Sequence, residues 1–493
     1  AFGGDNSQIT LFGESAGAVS VSYHLLSPYT QGYFRRAILN SGSAIAWWAS
    51  EDRWAASRRS LTLAKLVKCG PDNDSTDVNK IIDCMRQVTP ETLQQLTWSA
   101  MSNEIRERRI QYAQYYQQNL HRNQEPANEV ANVETMLYFD LPFKPVYPSD
   151  FIPKMPFMQL RDSVKNQDVK RADLLLGVVK NEGVFWIMYA LYKIFLIRNR
   201  EWNIPFWWGQ PMDPRLSKEY EYYSKFSKEL DMDTDPHNLV ARYFITNINM
   251  DGLISEGTSF EYQVPSKLFG KTSWTAKETL DALDAMTSDK SFKCPTIEFA
   301  EKYALMLGRN AAHSIWMYSF EQRSELLPLP DWTGVLHGYE LDYVFGSPFN
   351  ERFTGKYYNY TETERQFSDD LMKFWTNFAK TGMSDSSAPD GPGAWPEYDA
   401  INRKHIVLKA RSPTSRGFQI GENLRKRQCN FWRYQVQNLR NYTNPKPNCS
   451  SGVGTRRAQT VGPTKSATSK HSRFRGVFLV LVGAFELLRF LHL

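Results

Sequence analysis

The sequence predicts an α/β fold, a central and mostly parallel sheet flanked by helices, and three stretches carry that prediction. Ile9-Thr10-Leu11-Phe12 is a short β-prone run that passes through Gly13-Glu14-Ser15-Ala16-Gly17 directly into an Ala/Val/Leu-rich helical pattern ending at Leu26. Asp173-Leu174-Leu175-Leu176-Gly177-Val178-Val179 is apolar after its first residue, as a strand covered on both faces must be. Ser314-Ile315-Trp316-Met317-Tyr318-Ser319-Phe320 has the same character. The chain has 493 residues, 42% of them hydrophobic and 23% charged, which is enough for one large α/β domain with a sizeable core.

Taken in order, the first strand and helix are followed by Arg35-Arg36-Ala37-Ile38-Leu39-Asn40, a second strand closed by Ser41-Gly42. Residues 51–68 and 78–120 have helical patterns. Five prolines between 142 and 156 rule out a long helix there and predict an ordered loop. After the strand at 173–179, Lys180-Asn181-Glu182-Gly183 stands just past a strand's C-terminal end, where open α/β sheets place their sites. A polar, aromatic-rich stretch covers 199–236. The strand at 314–320 leads through a proline-rich turn to Gly334-Val335-Leu336-His337-Gly338. Helices are expected at 362–381 and 423–439, and no internal repeat is present.

Beyond Asn441 the composition turns to Pro, Ser, Thr, Gly and basic residues. This gives three divisions: a sheet domain at 1–440, a basic polar stalk at 441–475, and an apolar tail at 476–493. The tail is short for a spanning helix and carries Glu486 and Arg489. With small residues and a polar spacer before it, it fits a cleavable glycolipid-anchor signal; a weak transmembrane segment or a buried tail are the alternatives. Charge is segregated: residues 403–475 hold 17 Lys/Arg against one acid, whereas residues 1–402 hold 41 basic and 51 acidic side chains. The acidic body favours cationic ligands by steering. The basic extension has no accompanying nucleic-acid motif, so no nucleic-acid partner is expected.

Five cysteines are an odd number. Cys69 and Cys84 flank a Gly-Pro-Asp-Asn turn suited to a local disulfide; Cys294 and Cys429 are distant; Cys449 is left over and points to an intermolecular bridge. Sequons at Asn73, Asn359, Asn441 and Asn448, together with plausible cysteine pairs, favour a secreted or surface protein.

Gly13-Glu14-Ser15-Ala16-Gly17 between strand and helix is the context that makes G-x-S-x-G a nucleophile elbow. Ser15 then projects from a strained turn, and Gly13 and Gly17 allow close approach of strand and helix. The Ala16 N–H lies at the helix's positive end, where an oxyanion donor is needed. A serine hydroxyl needs a base to take its proton and an acid to orient that base, in the chain order Ser, acid, His. Glu182 and His337 occupy suitable positions in that order.

On these three motifs the chain resembles the cholinesterase and type-B carboxylesterase family of α/β-hydrolases, over residues 1 to about 440. The resemblance implies Ser15 as nucleophile, Glu182 as acid, His337 as base and Ala16 N–H as one oxyanion donor. It also implies disulfides Cys69–Cys84 and Cys294–Cys429. Glu14 looks like the carboxylate that cholinesterases place near the cationic end of choline. Trp48 and Phe139 resemble acyl-pocket walls, and Leu141 stands where vertebrate members carry a second acyl-pocket Phe, so larger acyl groups should enter more readily. Phe185, Trp186 and Tyr189, with Trp332 and Tyr339 beside the histidine, look like gorge aromatics able to hold a quaternary ammonium by cation–π attraction.

The implied reaction is hydrolysis of choline esters, acetylcholine foremost, through an acyl-enzyme and without metal or organic cofactor. The alternatives are a broad carboxylesterase and a non-catalytic adhesion protein of the same family. A homodimer through the helices at 362–381 and 423–439 is also expected. The family's Gly-Gly oxyanion loop and its choline-stacking tryptophan lie upstream of the serine motif, and neither is in this sequence. The expectation is therefore of a fold lacking its N-terminal strands and of impaired catalysis by the chain as it stands.

Overall fold

The computed structural model describes residues 3–443 except 71–76, 98, 102–140, 167, 188–251, 264–275, 309–311, 328, 330, 356–357, 383–394 and 413–414. Its frame is a six-stranded sheet. Strands β1 (Thr10–Glu14) and β2 (Arg36–Asn40) are followed by a two-residue pairing of β3 (Glu51–Asp52) with β4 (Val146–Tyr147). Then come β5 (Asp173–Val179), β6 (Ile315–Phe320), β7 (Lys404–Leu408) and β8 (Gln419–Glu422). The order in the main sheet is β1-β2-β5-β6-β7-β8. The first five of these strands run parallel and β8 is antiparallel to β7.

The registers put Glu14 opposite Asn40, Asn40 opposite Gly177, and Gly177 opposite Tyr318. β1 and β2 end in this row and β5 and β6 run two residues past it, so the segments that leave them emerge on the same side. Every residue of β2 and β6 is buried, which explains why Ala37–Leu39 and Ile315–Tyr318 show no polar alternation. Gly177 breaks the apolar run of β5 for a steric reason. A Cβ there would lie 2.3 Å from the Tyr318 ring.

Helices cover both faces. Helix α1 (Ala16–Leu26), α2 (Pro156–Asn166) and the pair α3 (Ala276–Ser288) and α4 (Cys294–Leu307) enclose one core with Leu25, Leu39, Leu174, Phe299 and Tyr303. The other core is closed by α5 (Glu362–Thr381) through Phe367, Leu371, Phe374 and Phe378. Thr361 and Glu364 form a reciprocal capping box at the start of α5. The expected helix at 423–439 is a continuous run of Lys426–Asn430, a π-helical turn Phe431–Gln435, and Val436–Thr443. Disulfides join Cys69 to Cys84 and Cys294 to Cys429. Among the described residues no helix is long and apolar enough to cross a membrane. The stalk from residue 444 onward, the tail, Asn73, Asn448 and Cys449 lie outside the described residues.

The strand-to-helix turn shows how Ser15 is placed. Ser15 has φ 55° and ψ −118°, a region that costs a non-glycine residue on the order of 1–3 kcal/mol. It is held there by its N–H donating to Asn40 O at 2.8 Å and by its carbonyl accepting from Val19 N at 3.0 Å. The two motif glycines are not equivalent. A Cβ on Gly13 would lie 2.2 Å from the Gly17 carbonyl, whereas a Cβ on Gly17 would meet nothing within 4 Å. Close approach thus depends on Gly13 alone, and Gly17 contributes the backbone that is approached.

Gly13→Ala is therefore expected to cost about 3 kcal/mol or more, because backbone must move. Gly17→Ala, in the first turn of a helix, should change stability by under about 1 kcal/mol, and in the favourable direction. Urea unfolding of the two variants checks this; equal losses would contradict the asymmetry.

Candidate active site

Glu182 and His337 come from loops 155 residues apart and meet at a hydrogen bond of 2.5 Å between Glu182 Oε2 and His337 Nδ1. Glu182 follows β5, and its other oxygen, Oε1, accepts from Val179 N at 2.9 Å, so the carboxylate folds back over the strand that delivers it. It is completely buried. His337 is flanked by Gly334 at φ 59° and Gly338 at φ 82°, both in the left-handed region that glycine adopts without strain. Asn181 N donates to Val335 O at 3.0 Å and its side-chain oxygen accepts from Val335 N at 2.9 Å, which joins the acid loop to the histidine loop.

The other imidazole nitrogen, Nε2, lies 3.1 Å from Glu14 Oε1. It has no hydrogen-bond partner among the described residues. A Ser15–His337 hydrogen bond is not present there either. Ser15 precedes α1, and Ala16 is the first helical residue, exposed, with its N–H among those a helix start leaves without an intrahelical acceptor.

Three carboxyls surround the imidazole. Burial alone would lower its basicity, but Glu14 and then Glu182 outweigh this, and His337 is pushed up to about 9. Burial raises Glu14, with His337 pulling the other way and Glu182 adding to the rise. Glu340, which begins a short helix at Glu340–Val344, is raised well above the usual carboxylate range by burial, then by Glu14 and Glu182. Both of its carboxyl oxygens are buried without a partner among the described residues. Glu340 lies three residues past His337, and no sequence pattern marks it as a neighbour of the imidazole.

Aromatic rings occupy one side of the imidazole. Phe292 stands 4.6 Å from it, centroid to centroid, and Trp186 stands 6.4 Å away. Phe292 also contacts Trp186 and Trp48 at 6.2 and 5.6 Å. Trp48 is fixed by its indole N–H donating to Ser291 O at 2.8 Å. Phe185 packs edge-on against Trp186, and Trp332 and Tyr339 pack around Val184 and Leu336. Phe139 and Tyr189 lie outside the described residues. Leu141 is described and exposed, and no ring or polar contact joins it to the imidazole. Asn359 is exposed, as a sugar acceptor must be; Asn441 falls within the helix Val436–Thr443.

Phe292 was missed because it sits in a π-helical turn, Asp289–Lys293, between α3 and α4. The signal that could have found the region is helical spacing of Leu280, Leu283, Met286, Ile297, Ala300 and Tyr303, all buried.

The arrangement provides a serine on a strained turn, a helix N-terminus beside it, and an acid–base pair in a mostly buried site. Known proteins are similar along the same span. A family model described as "Carboxylesterase family" matches residues 1–432. The chain is 29% identical to acetylcholinesterase 1 of Caenorhabditis elegans over 89% of its own length and 59% of that protein's. It is 32% identical to a cholinesterase of Mus musculus over 88% of its length and 56% of the relative's. With an acetylcholinesterase of Bungarus fasciatus the figures are 30%, 90% and 58%. The chain thus spans under two thirds of the length of each of these relatives. The family match covers most of the chain and includes all three loops just described, so the chain belongs to the carboxylesterase family and its sheet is an α/β-hydrolase sheet.

Proposed function

We propose that this protein is a serine esterase that hydrolyses choline esters, acetylcholine foremost, through an acyl-enzyme. The observation that carries the reading is the Glu182–His337 hydrogen bond in the same site as the strained Ser15 turn. In this mechanism Ser15 Oγ attacks the ester carbonyl as His337 Nε2 takes its proton. The Ala16 N–H stabilises the oxyanion at the helix's positive end. His337 then protonates the departing alcohol, and water repeats the cycle on the acyl-enzyme. Nε2 must exchange the neighbourhood of Glu14 Oε1 for that of Ser15 Oγ, an adjustment commonly completed only when substrate binds.

The choline preference is supported by the half-buried Glu14 carboxyl, by Trp186 and Phe185, and by the names of the relatives, which are cholinesterases. Trp48 and Phe139 are proposed as acyl-pocket walls, with Leu141 admitting larger acyl groups; Tyr189, Trp332 and Tyr339 complete the aromatic lining. The broad carboxylesterase and the non-catalytic adhesion protein are the competing readings. A fluorophosphonate probe should label the wild type and fail to label Ser15→Ala. Hydrolysis of cationic esters should exceed that of uncharged ones. Labelling without a cationic preference would leave the carboxylesterase reading, and no labelling would favour adhesion.

The charge around the base predicts a pH dependence. His337 serves as base only when neutral, so its raised pKa delays activity to higher pH. Glu14→Gln removes a charge that holds the proton on. The acid limb of kcat/KM for an uncharged ester should therefore move to lower pH, by about 1–2 units. An unmoved limb would mean that Glu14 does not act on the base.

An extracellular or cell-surface location is further proposed, supported by the two disulfides, with the tail as a lipid-anchor signal. A homodimer bridged through Cys449 is part of the same reading. It should run at twice the monomer mass on a gel without reductant and collapse to monomer with it; monomer under both conditions would rule out the bridge.

A further inference from the structure

The acid loop is gripped from behind by a helix that the catalytic reading does not use. Asp284 on α3 is almost wholly buried, and both of its oxygens are engaged with that loop. Oδ1 accepts from Gly183 N at 3.0 Å and from Ser288 Oγ at 2.9 Å, while Ser288 Oγ itself accepts from Gly183 N at 2.9 Å. Oδ2 accepts from Asn181 Nδ2 at 2.8 Å. The oxygen of that same Asn181 carboxamide accepts from Val335 N at 2.9 Å, two residues before His337. Gly183 and Gly334 leave room for the clamp: a Cβ on Gly183 would lie 2.8 Å from Asp284 O, and one on Gly334 would lie 2.2 Å from the Asn181 oxygen. From the π-helical turn that follows α3, Lys293 Nζ donates to Lys180 O at 2.6 Å.

We propose that Asp284, acting through Asn181, is a positioning residue that fixes the spacing between the acid loop and the histidine loop and so holds Glu182 on His337. The proposal deepens the esterase reading and rests on it for its kinetic test.

The relay has a direction that makes it testable. Asn181 donates to Asp284 with its nitrogen and accepts from Val335 with its oxygen, and a carboxamide has only one of each. An amide at 284 would present a donor to the Asn181 donor. Flipping Asn181 would relieve that clash but place its nitrogen against the Val335 N–H. Turning the 284 amide instead would set its nitrogen against the Gly183 N–H, so a mismatch introduced at 284 falls on the acid loop or on the histidine loop in every orientation. Exchanging the two residues restores complementarity: an amide at 284 donates to a carboxylate at 181, which still accepts from Val335.

The test compares wild type, Asp284→Asn and the exchanged double variant Asp284→Asn with Asn181→Asp, all as the full chain. Asp284→Asn should lower kcat about 10- to 100-fold with KM changed less than about threefold, and the exchange should restore at least tenfold. A readout independent of turnover is the low-field proton resonance of His337 Nδ1–H bonded to Glu182. It should be broadened or moved upfield in Asp284→Asn and return in the exchanged variant. Should Asp284→Asn fail to fold, Asn181→Ala, which cuts the relay outside the helix, should show the same loss of kcat and resonance. A wild-type resonance and kcat in a folded Asp284→Asn or Asn181→Ala variant would overturn the proposal. So would an exchanged variant that folds without recovering either signal. A wild type that shows the resonance but no ester hydrolysis would count against the esterase reading, while the resonance in the variants still decides the clamp.

Discussion

A carboxylate with no exposed surface is tolerated only where its charge is answered, and Glu182 is the residue around which this site is built. Removing such an ion from water costs several kcal/mol even after relaxation. Val179 N answers one oxygen and His337 Nδ1 the other. The first partner is supplied by the strand that carries Glu182 and needs no long-range folding. The second arrives from a loop 155 residues away, so the acid is fully satisfied only when β5, β6 and the segment after β6 are assembled. The bond thus forms only once the sheet is assembled, and it offsets the cost of burying Glu182.

The parallel register explains why so much charge gathers here. Glu14, Asn40, Gly177 and Tyr318 stand in one row across four strands. The loops after β1 and β2 begin at this row and those after β5 and β6 two residues beyond it, and in such sheets sites lie beyond the strand ends. Glu14 ends β1 in that row, Glu182 follows β5, and Glu340 follows the histidine loop. Burial first, and then repulsion from neighbouring carboxyls, raises Glu14 and Glu340, while the imidazole proton is held more tightly. The same field that would attract a cation therefore disfavours the neutral imidazole, and one side chain, Glu14, contributes to both effects.

Local sequence made some of this legible and left the rest hidden, for physical reasons. A fully buried strand must be apolar on both faces, so β2, β5 and β6 stand out from composition alone. Ser15, Glu182 and His337 sit at abrupt changes of pattern, strand to turn to helix or strand to glycine-flanked loop, which local reading detects. β7 and β8 were not legible, because the apolar run of β7 is only Ile406-Val407-Leu408 and β8 holds one apolar side chain, Ile420, between Gln419 and Glu422. The expectation that Gly13 and Gly17 both serve close approach was half right: the need for a missing Cβ depends on which way each backbone faces, and spacing does not record that.

The helical element at 276–307 is the more instructive omission. It touches the site with a buried aspartate, a serine, a phenylalanine and a lysine, but each is an ordinary residue in an unremarked stretch. Their shared role comes from the π-helical turn, Asp289–Lys293, which adds a residue to the helical repeat. Without it the face that carries Asp284 and Ser288 would rotate away before reaching Phe292. With it, residues before the turn grip the acid loop and a residue within it packs on the imidazole. Cys294, the first residue after the turn, is tied to Cys429. That covalent anchor sits where the helix departs from its regular repeat, so it restrains the segment whose rotation would move Phe292 and loosen the clamp on Gly183. The disulfide that a count of cysteines suggests as an extracellular feature is in this fold part of the scaffold behind Glu182.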